Sequence, residues 1–259
     1  MTTIETYDAT LRDGMQGEGM SLTAAEKVRV VHKLDELGVD LIEAGFPASN
    51  PKELELFALL EREPLQHAQI AAFGMTRRRD VAAEDDEALR LLADSFAPVC
   101  TLVGKTWSLH LEKVVRVGRD ENLRMIADSV AFLVREGKTV VYDGEHFFDA
   151  WRDDADYALR CVRAAAEAGA AWVTLGDTNG ASLPHEVEDA TAASEFATPH
   201  SASLCVWMPT GMPVAATART ASATTCGSEA PLVSHSVTFS APASKAARAQ
   251  RSAYAASSR

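Results

Sequence analysis

LRMIADSVAFLVREGKTVVYD, residues 123–143, holds one full instance of the pattern from which most of this chain is built. Leu123, Ile126, Ala127, Val130, Leu133 and Val134 recur at helical spacing and share one face, so the segment reads as an amphipathic helix. Gly137 follows as a residue that takes the left-handed conformation a helix end asks for. Thr139 to Asp143 is then a short apolar run of strand length, and it stops on an acid.

The same unit extends in both directions. Six short apolar runs stand at Ile4 to Asp8, Asp40 to Ala44, Gln69 to Phe73, Val99 to Val103, Thr139 to Asp143 and Trp172 to Gly176. Their starts recur roughly every 30 to 40 residues, the spacing of βα units in a parallel sheet. Thr23 and Glu26 form a capping-box pair ahead of a helix whose Val28, Val31 and Leu34 share a face. Another helix closes at Gly169, and Ser182 with Pro184 marks a further start. Consecutive βα units with short turns predict an α/β fold of the TIM (βα)8-barrel type, incomplete here at about six units, although periodicity alone leaves an open sheet available.

From about Ser194 the composition changes. Roughly half of the residues there are Ala, Ser or Thr, and neither period persists. Residues 1–193 carry 20 Lys and Arg against 35 Asp and Glu, whereas residues 194–259 carry 5 against 2. The expected organisation is a partial catalytic barrel over 1–193 and an irregular low-complexity tail over 194–259, with no seventh or eighth βα unit. A frameshift or aberrant splice is the leading account of the break, and a solvated natural tail is the alternative.

At 259 residues, 47% hydrophobic and 24% charged, the chain is long enough for one barrel-sized core. Its net charge of -12 opposes a nucleic-acid or anionic-membrane partner and favours a small-molecule substrate. MTTIETYDAT has neither a basic segment nor an apolar core, and no stretch nears the roughly 20 apolar residues of a membrane helix, so the cytoplasm is the expected compartment. Cys100, Cys161, Cys205 and Cys226 lack paired spacing and read as reduced structural thiols.

In a barrel, residues at the C-terminal ends of the strands converge on one pocket. Here those positions hold Arg12 and Asp13, then Glu43, then Lys105 and Trp107, then Asp143, Glu145 and His146, then Asp177, Thr178 and Asn179. Arg12, Asp13 and Gln16 fall within TLRDGMQ, residues 10–16, a layout suited to gripping a metal-bound anionic substrate. Carboxylates with a histidine suit Mg²⁺ or Mn²⁺, and Zn²⁺ where imidazoles dominate. The bland alternatives are a surface ion pair for Arg12 and Asp13, a backbone-bonded buried acid for Glu43, a solvated lysine for Lys105, and turn formers for Thr178 and its neighbours.

YDATLRDGMQGEG, LIEAGFPASNP, LVGKTW, VVYDGEHFFD and LGDTNGASLPHEV resemble, in order and spacing, the (R)-citramalate synthases of the isopropylmalate and homocitrate synthase group. The resemblance runs from residue 1 to about 193. It implies a TIM barrel that condenses acetyl-CoA with pyruvate and then hydrolyses the thioester, giving citramalate and CoA for isoleucine synthesis. It implies that Asp13 is a metal ligand and that Arg12 stabilises the oxyanion or enolate. It also implies that Glu145 lies near the 2-oxo acid with a part in acetyl-CoA deprotonation, and that Thr178 touches the 2-oxo acid carboxylate. Gln16 and Glu43 join the substrate-binding set, and a homodimer is the assembly it suggests. Members of that group carry a His-x-His metal pair at the end of strand seven and a glycine-rich segment after strand eight; His200 and His235 here have no partner two residues away. The expectation is therefore a synthase by descent, weak or inactive as this polypeptide. 2-Isopropylmalate synthase and a non-catalytic partial barrel are the alternatives.

Overall fold

In the computed structural model, residues 5–197 and 202–207 are described. The strands are β1 (Tyr7–Asp8), β2 (Leu41–Gly45), β3 (Gln69–Met75), β4 (Val99–Lys105), β5 (Thr139–Glu145), β6 (Trp172–Gly176) and β7 (Ser203–Trp207). They form one sheet in the order β1-β2-β3-β4-β5-β6-β7, and every neighbouring pair is parallel. The connections carry helices α1 (Ala24–Leu37), α2 (Pro51–Leu60), α3 (Glu87–Asp94), α4 (Ser108–His110), α5 (Arg119–Arg135), α6 (Phe147–Glu167) and α7 (Pro184–Ala197). Each of the six apolar runs contains a strand, although the first forms one only over Tyr7–Asp8, and Ile4 lies outside the described residues.

The local signals act as expected. Thr23 and Glu26 form the reciprocal capping box of α1, with each side chain accepting from the other residue's backbone N–H. Gly137 (φ 82°) and Gly169 (φ 105°) turn the chain out of α5 and α6 in the left-handed region.

The expected end of the repeat at residue 193 is corrected. Helix α7 continues to Ala197, and β7 pairs in parallel with β6 from Trp172↔Ser203 to Gly176↔Trp207. A seventh strand therefore lies within the segment read as tail. Five residues between Ala- and Ser-rich neighbours are too few to display a period, yet the unpaired edge of β6 supplies the hydrogen-bonding template. Leu204 and Val206 add apolar contacts under the helices. Residues 208–259, with His235 and Cys226, lie outside the described residues, as does His200.

Two faces of the sheet have different tasks. Ile42, Ala44, Ile70, Ala72, Cys100, Leu102, Val140, Tyr142, Val173 and Leu175 point outward into the main core beneath the helices. Leu41, Ala71, Val99 and Val141, with Tyr7 and Trp172, form a separate apolar layer on the other face. Strands three apart are joined across that inner face. Tyr7 Oη on β1 lies 2.5 Å from Thr101 Oγ1 on β4. Three inter-strand steps of about 4.8 Å would hold these strands roughly 14 Å apart on a flat sheet, so the sheet must curl around its inner face. The result is a partial barrel, with Tyr7 and its layer closing the bottom and the strand C-termini opening above. Among the described residues β1 and β7 are not paired with each other.

Candidate active site at the strand ends

Above the apolar layer the inward positions turn polar. Glu43, Thr101, Asp143 and Thr174 follow Leu41, Val99, Val141 and Trp172 by two residues each, and Glu145 and Lys105 lie one step higher on adjoining strands. The period of two along a strand puts them on one face, and the curl brings them together.

Arg12 enters from the loop after β1. Three backbone N–H groups, from Arg12, Asp13 and Gly14, converge on the carbonyl of Ala9 and tighten that loop into a turn. Arg12 Nε donates to Glu43 Oε1, its Nη1 lies 3.1 Å from Asp13 Oδ1, and its guanidinium carbon sits 4.0 Å from the centroid of the Phe73 ring. Burial alone would weaken the Arg12 charge, but Glu43 more than offsets it and holds the proton more firmly than usual. Glu43 is 1% exposed, and its other oxygen accepts from Tyr7 Oη. Both carboxylate oxygens are thus taken by side chains that frame the pocket, and Tyr7 and Thr101 complete a network that the strand-end reading did not include. Phe73 also escaped it, because an aromatic in an apolar run reads as core.

Asp143 lies half-buried on β5. Burial foremost, then the nearby negative charges of Glu43, Glu145 and Asp13, push it up to about 7 against the opposing pull of Arg12. Glu145 behaves oppositely: burial would raise it, but its ion pair with Lys105 and the two histidines His146 and His110 bring it below the usual carboxylate value. Lys105 is therefore a partner of Glu145 rather than a solvated lysine.

Beyond Glu145 the chain passes through His146 in the left-handed region (φ 56°). Its N–H donates to Thr178 Oγ1 at 2.9 Å, which ties the end of β5 to the loop after β6. An accepting hydroxyl keeps its own proton to donate. His146 Nδ1 lies 2.9 Å from Asp149 Oδ2, and Asn179 Nδ2 donates to the same oxygen at 2.9 Å. Asp177 is fully buried and accepts from the backbone N–H groups of Ala181 and Ser182, so it holds its loop. Trp107 packs against both His110 and His146. Gln16 is exposed on the single 3₁₀ turn Gly14–Gln16.

His110, Glu145 and His146 form a group with ligand-type atoms all within 4.8 Å of one another, and Asp13 is not in it. His110 is a further residue that sequence reading passed over. It follows Trp107 on a helix of three residues, too short to show a pattern. Cys100 and Cys161 are buried free thiols, each pushed up to about 12 by burial, consistent with structural roles.

The family model described as HMGL-like matches residues 3–228. The chain belongs to the HMGL-like family. Among relatives of this HMGL-like chain, the (R)-citramalate synthase of Geobacter sulfurreducens is 43% identical over 187 residues, 72% of this chain and 35% of the relative. That of Sulfolobus acidocaldarius is 46% identical over 188 residues, 73% of this chain and 36% of the relative. A probable 2-isopropylmalate synthase of Methanopyrus kandleri is further away, at 36% identity over 189 residues, 73% of this chain and 36% of the relative. The HMGL-like chain thus spans about a third of the length of the curated relatives it matches. In fold it is similar to the HMG-CoA lyase of Bacillus subtilis, with a TM-score of 0.63 at 18% identity over 79% of this chain and 67% of that one. No described helix of this HMGL-like chain is long and apolar enough to cross a membrane.

Proposed function

We propose that this chain is the barrel portion of a citramalate synthase, which condenses acetyl-CoA with pyruvate and hydrolyses the thioester to release citramalate and CoA. The observation that carries the reading is the polar set of Arg12, Glu43, Asp143 and Glu145 on the inner face of an HMGL-like sheet, within the residues at which citramalate synthases are over 40% identical. The reaction would serve isoleucine synthesis in the cytoplasm, with a homodimer as the assembly.

Each residue has work that follows from its surroundings. Arg12, fixed by Glu43 and Phe73, has an Nη2 group with no protein partner among the described residues; it faces the negative charge that grows on the pyruvate ketone oxygen and the enolate. Glu43 contributes to substrate binding by orienting Arg12. Glu145, kept ionised by Lys105, accepts a proton from the acetyl-CoA methyl group, and the resulting carbon nucleophile attacks the ketone carbon. Thr178 donates its hydroxyl proton to the pyruvate carboxylate, and Gln16 reaches in from the rim. The alkoxide so formed takes the proton back from Glu145; water then adds its hydroxyl to the thioester carbon as the C–S bond breaks, and its proton goes to the departing CoA thiol.

Asp13 is the carboxylate this reading assigns to a divalent metal, Mg²⁺ or Mn²⁺, which when bound polarises the ketone. One carboxylate makes a poor site, since such cations ask for several oxygen ligands in defined geometry. Among the described residues no three-ligand group includes Asp13, so the residues described do not fit the ion. This polypeptide is accordingly expected to turn over weakly. A thiol-release assay with acetyl-CoA and Mn²⁺, comparing pyruvate with 2-oxoisovalerate, tests the reading. Release with pyruvate supports it, preference for 2-oxoisovalerate moves the assignment to 2-isopropylmalate synthase, and none with either leaves a non-catalytic barrel.

A further inference from the structure

We propose that His110, Glu145 and His146 form a binding site for a borderline transition cation such as Zn²⁺ or Co²⁺, distinct from the metal position assigned to Asp13. Cation binding does not depend on the citramalate synthase reading, although the site shares Glu145 with it, and a bound cation would compete with the proton-acceptor role.

The ligand set is two imidazoles and one carboxylate, with ligand-type atoms within 4.8 Å of one another. Zinc holds nitrogen and oxygen ligands at about 2.0–2.2 Å, so a closure of roughly an ångström would bring the three onto one ion. Two nitrogen donors favour Zn²⁺, Co²⁺ or Ni²⁺ over Mg²⁺ or Ca²⁺, which prefer oxygen throughout.

Three features indicate a built site. His110 Nδ1 is buried without a hydrogen-bond partner, although buried polar atoms ordinarily have one. His146 is held in the left-handed region, a backbone cost that its surroundings must maintain. Its Nδ1 is engaged by Asp149, whose carboxylate is in turn held by Asn179 at 2.9 Å and Arg152 at 3.3 Å, leaving Nε2 for a ligand bond. A carboxylate behind a histidine is the support metal-binding imidazoles commonly receive. Glu145 uses one oxygen for Lys105, and the other has no protein partner among the described residues. The Lys105 ammonium repels an incoming dication, which makes it a gauge of the site.

The test is Co²⁺ titration of the full chain, followed by visible absorption and by quenching of Trp107, whose ring lies 5.2 Å from His110 and 5.7 Å from His146. One equivalent should bind with visible bands, and Trp107→Phe should lose most of the quenching while the bands remain. His110→Ala and His146→Ala should each weaken binding at least tenfold, and Asp149→Asn by about tenfold. Lys105→Met should tighten binding, a gain that no unfolded variant could mimic, and millimolar Mg²⁺ should not displace the cobalt. Asp13→Asn should leave the bands unchanged. Loss of the bands in Asp13→Asn, undiminished binding in the doubly substituted His110 and His146 variant, or absence of binding by wild-type protein with intact circular dichroism overturns the proposal. None of these results depends on turnover, so the fate of the synthase reading is separate.

Discussion

Arg12 lies over the Phe73 ring, its guanidinium carbon 4.0 Å from the ring centroid, while its Nε donates to the almost fully buried Glu43. The pair fixes a charged side chain from a loop against the inner face of the sheet. Glu43→Ala leaves the Arg12 charge without its partner in a desolvated place, and breaking such a pair costs about 3 kcal/mol. Thermal denaturation should show a fall of several degrees, since each kcal/mol is worth roughly 2–4 °C in a domain of this size. Phe73→Leu removes the ring face alone and should cost about 1 kcal/mol. An unchanged melting temperature in Glu43→Ala would show that the pair does not hold the loop.

Asp143 provides a pH signature. Its folded value is pushed up to about 7, above the unfolded value near 4, so the native state binds the extra proton in between. The stability this contributes is present in acid and lost as pH rises through about 7. Glu145, lowered by Lys105, has the opposite slope, but its window lies at and below the ordinary carboxylate value, beneath most of the range over which Asp143 acts. Asp143→Asn abolishes only the first. The stability gap of Asp143→Asn over wild type should therefore widen between pH 5 and pH 8 in chemical denaturation; a gap independent of pH rules out a raised Asp143.

Lys105 controls the ionisation of Glu145. Lys105→Met removes the largest influence opposing the effect of burial, and the carboxyl should titrate at higher pH. If Glu145 is the proton acceptor, the acid limb of the pH–rate profile moves upward in that variant and thiol release near pH 6 drops. An acid limb that stays in place points to a different base.

Thr23 tests the outer layer, far from the chemistry. Its hydroxyl accepts from Glu26 N at 3.2 Å, while the Glu26 carboxylate accepts from Thr23 N at 2.8 Å. Thr23→Ala should cost about 1 kcal/mol and leave substrate affinity untouched. A loss well above that would mean the cap supports more than α1.

Much of the architecture was legible because its causes are local. The face formed by Leu123, Ile126, Val130 and Leu133, the stop at Gly137 and the strand ending on Asp143 each depend on residues within one or two turns. Strand-end placement likewise drew attention to Arg12, Glu43 and Glu145. The strand Ser203–Trp207 was not legible, because its formation depends on the waiting edge of β6. His110, Tyr7, Thr101 and Phe73 were hidden for a related reason. Their significance comes from partners far along the chain: Thr101 is met by Tyr7, and His110 by His146.

The sequence by itself determined the repeating βα unit, its caps, and the polar character of the strand ends, since spacing, glycine and proline chemistry and side-chain alternation act over short stretches. Only the tertiary structure decided that the sheet curls until Tyr7 bonds to Thr101, that Glu43 spends both oxygens on Tyr7 and Arg12, and that His110 meets Glu145 and His146. Those relationships arise from the closing of a parallel sheet, whose curvature sets which distant side chains share a face, and no local stretch of residues encodes that distance.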